Sequence, residues 1–238
     1  MMNDLPQRAR LLRIAKRALP YAIVLISILL FLAYEPPVSL LVDAKSEARK
    51  TPELWNVPKP LQFESSVPTP GRTLSYFGYQ FKSPWTDVTA ERKAEGVAAV
   101  TFSGDQGIAI YDESKILAQR ALFGYAYRSN VLNATPADLR WFSSRQDMAR
   151  SSIYIAMKSV DARYMKGGVY SFQTPWFRGF QIGNPSQDEA VMIEFYDPEN
   201  LKIRLLVDSR HGAVRRPSQS DLNQIISTLQ PLAPTAAR

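Results

Sequence analysis

The chain holds one histidine and no cysteine, so any histidine-dependent triad, proton relay or histidine-metal cluster must run through His211. That residue sits in Asp208-Ser209-Arg210-His211-Gly212, after a strand-like stretch and before Arg215-Arg216-Pro217. Asp208 and Ser209 are neighbours in sequence, which is no triad geometry by itself, and a histidine on a surface loop accounts for the pattern. Without cysteine there is no thiol catalysis, no Cys-based zinc site, no disulfide framework and no lipobox acylation. The absence is compatible with export and is not a sign of it. Carboxylates cluster as Asp112-Glu113, Asp188-Glu189 and Asp197/Glu199, each at an expected turn or helix start. Capping and turn formation are sufficient roles there, and a paired acid and base or a calcium site would need a convergence that spacing does not show. Gly104-x-x-Gly107 and Gly167-Gly168 read as turn glycines, without the strand-to-helix context of a phosphate loop. The expectation is no catalytic residue, no metal and no cofactor.

Aromatic residues are more suggestive. Trp141, Tyr164, Tyr170, Phe172, Trp176, Phe177 and Phe180 crowd the second long helix and the hairpin that follows it, and most are expected in the core. Trp176 and Phe177 occupy an expected hairpin turn beside Pro175 and Arg178, where a large apolar group has little core to reach. Trp176, Phe177 and Arg178 are the candidate contact for a partner protein or for the membrane surface.

The net charge of +7 invites a nucleic-acid reading until the charges are placed. Residues 1–34 carry Arg8, Arg10, Arg13, Lys16 and Arg17 against Asp4, a net of +4 that leaves +3 for the rest. No basic stripe interleaved with aromatics remains, so nucleic acid is excluded as a partner. Residues 18–34 contain no charge and would span about 26 Å as a helix, slightly under the ~30 Å hydrocarbon core. The five flanking cations lie on the N-terminal side, whereas Glu35 opens the other side. By the positive-inside rule this is a transmembrane anchor with residues 1–17 cytoplasmic and the remainder extracytoplasmic, as in a bacterial inner membrane facing the periplasm. A cleaved signal peptide is the competing reading, because the most apolar part, 22–33, has the length of an h-region; no A-x-A-like site follows closely, and Pro36-Pro37 is a poor cleavage context. A buried core helix is disfavoured by the charge asymmetry.

Residues 35–71 hold seven of the seventeen prolines and read as an extended extracytoplasmic linker, from which Leu54, Trp55 and Phe63 could pack back on the domain. The domain itself is expected over 72–232, with a tail at 233–238. Strands are expected at 76–82, 97–103 and 107–111, the last two joined by a hairpin whose Gly104 can take a positive φ. Asp112 caps an expected helix to about 127, broken at 130–135. Thr135-Pro136 then starts a long helix to Tyr164, single or kinked near Ser151-Ser152, in which 153–157 also reads as a buried strand. After Gly167-Gly168 the pattern changes to period two, giving strands at 169–174, 177–183, 189–196 and 201–207 as an antiparallel meander. Leu222, Ile225, Ile226 and Leu229 form the stripe of a closing helix ended by Pro231.

The order gives an α+β domain, a mostly antiparallel sheet of about six to seven strands covered by helices. Tyr79-x-Phe81-x-x-Pro84-Trp85, the following hairpin, the late meander and the closing helix resemble the PsbP-like family, the extrinsic photosystem proteins and their bacterial relatives. The resemblance covers about 160 residues in outline and implies an α/β/α sandwich that binds or helps assemble a protein complex without catalysis. It places no metal site on identifiable residues here. The leading functional reading is a membrane-anchored, non-catalytic protein-binding or complex-assembly module. The alternatives are an envelope lipid- or glycan-modifying enzyme and a small-ligand-binding sensor domain.

Overall fold

The computed structural model describes residues 42, 45, 46, 48–63, 71–114, 124–138, 145–209 and 216–232. The expected membrane segment at 18–34, His211, Trp141 and most of the helix expected at 112–127 lie outside them. No helix among the described residues is long and apolar enough to cross a membrane.

In chain order the strands and helices are β1 (Lys59–Pro60), β2 (Arg72–Tyr76), β3 (Tyr79–Ser83), β4 (Val88–Ala94), β5 (Val97–Phe102), β6 (Gln106–Asp112), α1 (Tyr125–Asn133), α2 (Arg145–Asp161), β7 (Val169–Gln173), β8 (Arg178–Ile182), β9 (Ala190–Asp197), β10 (Asn200–Ser209), α3 (Gln219–Thr228) and β11 (Gln230–Pro231). They form an α+β fold with one large mixed sheet, ordered β1-β7-β8-β9-β10-β6-β5-β4, and a small sheet, β11-β3-β2. Every neighbouring pair in the large sheet is antiparallel except β1 with β7.

Alternation along the central strands sorts the sheet into two faces. Val191, Ile193 and Phe195 of β9 share one face with Leu205 and Val207 of β10 and Ile108 and Ile110 of β6, and bury against β2, β3 and α3. Met192 and Tyr196 point the other way, with Phe180 and Ile182 of β8, and are covered by Leu132 of α1 and by Met165. The polypeptide thus has helices α1 and α2 on one side of the large sheet and α3 with the small sheet on the other.

The closing helix α3 is specified locally. Its four expected apolar residues, Leu222, Ile225, Ile226 and Leu229, are all buried. Ser218 Oγ accepts from the Asp221 amide at 3.2 Å, and Asp221 Oδ2 accepts from the Ser218 amide at 2.8 Å, so both donors at the helix start are satisfied reciprocally. Ser218→Ala is expected to reduce the unfolding free energy by about 1 kcal/mol, readable as a lower urea midpoint at unchanged slope.

Several expectations are corrected. The single strand expected at 76–82 is a hairpin, β2 and β3, turning at Phe77 (φ 53°) and Gly78 (φ 83°). Two consecutive positive φ values match the right-handed twist of a two-residue hairpin, and the glycine takes its share without a Cβ penalty. In the next hairpin but one the left-handed residue is Asp105 (φ 61°), not the glycine before it. Strand β4 was not expected, since Thr89, Glu91, Arg92 and Lys93 hide its β character; it is the exposed edge of the large sheet, where charge blocks edge-to-edge pairing. Helix α1 runs through 130, where a break was expected. Helix α2 is continuous through 151–152 and includes 153–157, so the strand alternative there fails. The sheets hold eight and three strands instead of six to seven in all.

The proline-rich segment is not wholly a spacer. A 3-10 turn at Pro52–Trp55 buries Leu54 against Ala48 and Ile155, and β1 adds to the edge of the large sheet, with Leu61 N donating to Ser171 O at 2.8 Å.

Candidate functional site

Strand register assembles a charged row on the helix-covered face. Arg204 of β10 lies opposite Tyr111 of β6 and opposite Glu194 of β9, and Glu194 lies opposite Phe180 of β8. Directly across neighbouring strands, side chains on one face come within contact range, so the register alone brings Tyr111, Arg204 and Glu194 together. Helix α1 lowers Arg128 onto this row. Its Nε donates to Glu194 Oε2 at 2.9 Å and its Nη2 to Oε1 at 3.2 Å, a two-point clamp on a carboxylate that is 2 % exposed. The same Nη2 lies 2.7 Å from Asp161 Oδ2, at the end of α2. Tyr196 donates its hydroxyl to Glu194 Oε2 at 3.0 Å. Arg204 pairs with Glu113 at 2.8 Å and with Glu194 at 3.5 Å.

The two carboxylates on Arg128 diverge. Burial pulls Glu194 up, but Arg128 and Arg204 more than offset it and hold the group below the usual carboxylate range. Burial raises Asp161, and Arg128, already committed to Glu194, compensates only in part. A proton entering this cluster therefore goes to Asp161 before Glu194. Burial also raises Glu113, against the pull of Arg204, and pushes the Tyr196 hydroxyl well up.

Above the network, between sheet and α2, lies a cavity of about 390 Å³. Its floor is Glu194, Arg128 and Arg204; Met192, Leu201 and Leu206 form apolar walls, and Met157, Val160 and Tyr164 form the side below α2 and its 3-10 extension. Arg163 lies at the same opening, its guanidinium carbon 4.5 Å from the Tyr164 ring centre.

One turn of α2 away, Lys158 is fully enclosed, and its Nζ donates to Leu54 O at 2.9 Å and Ala134 O at 2.7 Å. It joins the 3-10 turn at Pro52–Trp55, the end of α1 and α2 at one point.

The candidate contact residues separate. Trp176 is 55 % exposed, Phe177 is buried in the core against Tyr79 and Phe195, and Arg178 is engaged by its own chain. Arg178 Nε donates to Pro198 O at 2.6 Å, its Nη2 pairs with Glu199, and the guanidinium lies 4.0 Å from the Tyr125 ring centre. Thr174 fixes the turn: its amide donates to Phe177 O at 2.7 Å and its hydroxyl accepts from Phe177 N at 3.0 Å. Beside Trp176 is an open groove of about 330 Å³ that includes Lys82, Gln80, Pro175, Thr228 and Gln230.

The turn carboxylates take local roles. Asp188 Oδ2 accepts from Gly167 N at 2.9 Å and Asn184 N at 2.7 Å, and Glu199 Oε2 accepts from Ala126 N at 3.0 Å at the start of α1. Among the described residues no three His, Cys, Asp or Glu side chains come together as a metal-holding group. Arg128, Lys158, Asp161, Glu194 and Arg204 were not singled out from sequence. The available signal was a lone charge at an apolar position: Glu194 alternates with Met192 and Tyr196 along a strand, and Lys158 follows Ile155 by three on a helix. Comparison with protein-family models, with curated proteins and with solved structures finds no match.

Proposed function

We propose that this chain is a single-pass membrane-anchored protein whose extracytoplasmic domain is a non-catalytic module for binding a protein partner or assembling a complex. The observation that carries the reading is Trp176, a large apolar side chain more than half exposed on a turn that Thr174 holds rigid. A fixed aromatic beside an open groove binds without a large ordering penalty, because the turn loses little freedom on contact. Phe177 supports the turn from inside and Arg178 braces it against Glu199, so of the three residues Trp176 makes the contact. The carboxylates beneath α2 are held by arginines, which supports a binding role over acid-base chemistry. The layer order, helices on one face and α3 with a small sheet on the other, supports the PsbP-like α/β/α reading.

Docking of residues 48–61 also bears on topology. If residues 18–34 anchor the chain, the stretch from there to the buried Ala48 spans at most about 50 Å, which keeps the domain near the bilayer. A partner in the same membrane is then favoured, since tethering raises its effective concentration.

Photocrosslinking in native membranes tests this, with wild type compared to Trp176→Ala. The expected result is a reproducible adduct that the variant loses, with its urea midpoint unchanged because an exposed side chain supports little of the core. Identical adduct patterns from both proteins would sink the proposal.

A further inference from the structure

We infer that the exposed face of α2 lies against the bilayer that holds the anchor, meeting anionic phospholipid headgroups with its cations and the top of the acyl region with Ile153 and Val160. The inference rests on the membrane anchor proposed above and uses none of the Trp176 surface.

Helical spacing builds the face. Ile155 and Lys158 turn one side of α2 toward the Pro52–Trp55 turn and the end of α1. Ile153, Ala156 and Val160, spaced i, i+3 and i+7, share the opposite side, and all three are exposed. Val160 is 70 % exposed and Ile153 41 %, so two branched aliphatic side chains stand in water on one helix face. A single exposed apolar residue is ordinary, but an aliphatic stripe framed by cations is the pattern of an interfacial helix.

The frame is present here. Arg150 precedes Ile153 by three and Arg163 follows Val160 by three; both are exposed, and Lys166 is exposed just beyond. Residues 150–164 contain one acid, Asp161, which is buried against Arg128. The Arg163 guanidinium carbon lies 4.5 Å from the Tyr164 ring centre, a cation and an aromatic paired as suits the headgroup layer. Charge of one sign at both ends of the stripe complements an anionic lipid surface.

Tether geometry selects the bilayer over a protein as the cover. Ala48 is buried with Leu54 against Ile155, so the chain arriving from the anchor docks on α2 itself. From residue 34 to Val42 the chain spans at most about 28 Å, and because 42, 45, 46 and 48 are helical it advances only about 9 Å more to Ala48. A leash of about 37 Å is too short to pass round a domain about 40 Å across. Fixed on the α2 layer, it turns that layer to the bilayer and leaves α3 and the Trp176 groove open to a partner. Arg49 and Lys50, both exposed beside Ala48, add positive charge on the same side.

The chain has no cysteine, so introduced cysteines report one position each. Full-length Ile153→Cys, Val160→Cys and Trp176→Cys, each carrying an environment-sensitive fluorophore, are reconstituted in vesicles of phosphatidylcholine and phosphatidylglycerol containing a lipid with a nitroxide at the top of its acyl chain. Carbonate washing of the same vesicles reports whether the anchor is inserted. The probes at 153 and 160 are expected to be quenched at least threefold more than the probe at 176. That excess is expected to fall at least twofold in phosphatidylcholine alone, and equally when Arg150→Glu and Arg163→Glu are added. Release of the protein by carbonate would overturn the anchor and this inference with it. Retention with equal quenching at the three positions would overturn this inference alone, as would shielding of 153 and 160 that occurs only in native membranes, where a protein is then the cover.

Discussion

Arg128→Met is expected to lower the unfolding free energy at pH 7 by about 3–5 kcal/mol, because it leaves two carboxylates inside the protein with less than their share of positive charge. Glu194 would lose both points of its clamp and keep only Tyr196 and the more distant Arg204, and Asp161 would lose its one cation at 2.7 Å. The loss has a pH signature. In the wild type Glu194 is held below its ordinary range, so it contributes stability that is present above the unfolded carboxylate pKa and is lost as acid protonates it in the fold. In the variant both carboxylates stay desolvated, Asp161 without its close cation and Glu194 with only Arg204 at 3.5 Å, so their folded pKa values rise above the unfolded ones. Folding then takes up protons, and the variant gains stability as pH falls from 7 toward 5. The deficit against wild type should therefore shrink on acidification. Adding Glu194→Gln and Asp161→Asn to Arg128→Met removes the stranded charges and should restore more than half of the loss at pH 7. Urea unfolding at pH 7 and pH 5 reads all three quantities, and a pH-independent deficit would falsify the account.

The same network shows what the sequence allows to be read. The meander β7 to β10 and the capped helix α3 were legible within a residue or two, since period-two alternation, turn residues and a Ser-x-x-Asp start are local signals. Strand β4 was not legible, because an edge strand exposed on both faces carries no apolar period, and Glu91, Arg92 and Lys93 read as loop. Phe77 concealed the turn of the first hairpin: a bulky residue at positive φ is disfavoured locally and is held there by the pairing of Tyr76 with Tyr79 on either side. Trp176 was found by the mismatch between its bulk and its turn position, the kind of local inconsistency that sequence shows well. The ionic row was hidden for a different reason. Arg128 and Glu194 are 66 residues apart, and their meeting depends on which face α1 covers and on β9 pairing with β10 in one register. A lone charge on an apolar strand announces that a partner is needed and does not name it.

Lys158 gives the second large effect, and its alkaline pH window separates it from the carboxylates of the ionic row. Burial lowers its amine from 10.5 to about 8 against the opposing pull of Asp138, with a smaller lowering from Arg128. Below about pH 8 the amine is charged in the folded and unfolded states alike, and folding carries the full penalty of enclosing that charge. Between about 8 and 10.5 the unfolded chain holds a proton that the fold has released, so unfolding free energy rises with pH, by up to about 1.4 kcal/mol per unit. By pH 9.5 the gain should reach about 2 kcal/mol. Tyrosines set the upper limit: burial pushes Tyr76 up to about 12 and Tyr196 well up, so above pH 10 the unfolded chain releases phenolic protons that the fold keeps, and stability falls again. The protein should therefore be most stable between about pH 9 and 10, above the usual range for a soluble domain. Lys158→Met substitutes a thioether of similar length that has no charge to desolvate, while leaving Leu54 O and Ala134 O without their donor. These two consequences oppose each other at pH 7, so the diagnostic quantity is the slope. Urea unfolding from pH 7.5 to 9.5 should rise for wild type and stay nearly flat for the variant, the contribution of Lys45 cancelling because both proteins carry it. Equal slopes would place the titration elsewhere and leave Lys158 as a hydrogen-bonded tie between the Pro52–Trp55 turn and α2, with no part in the pH response.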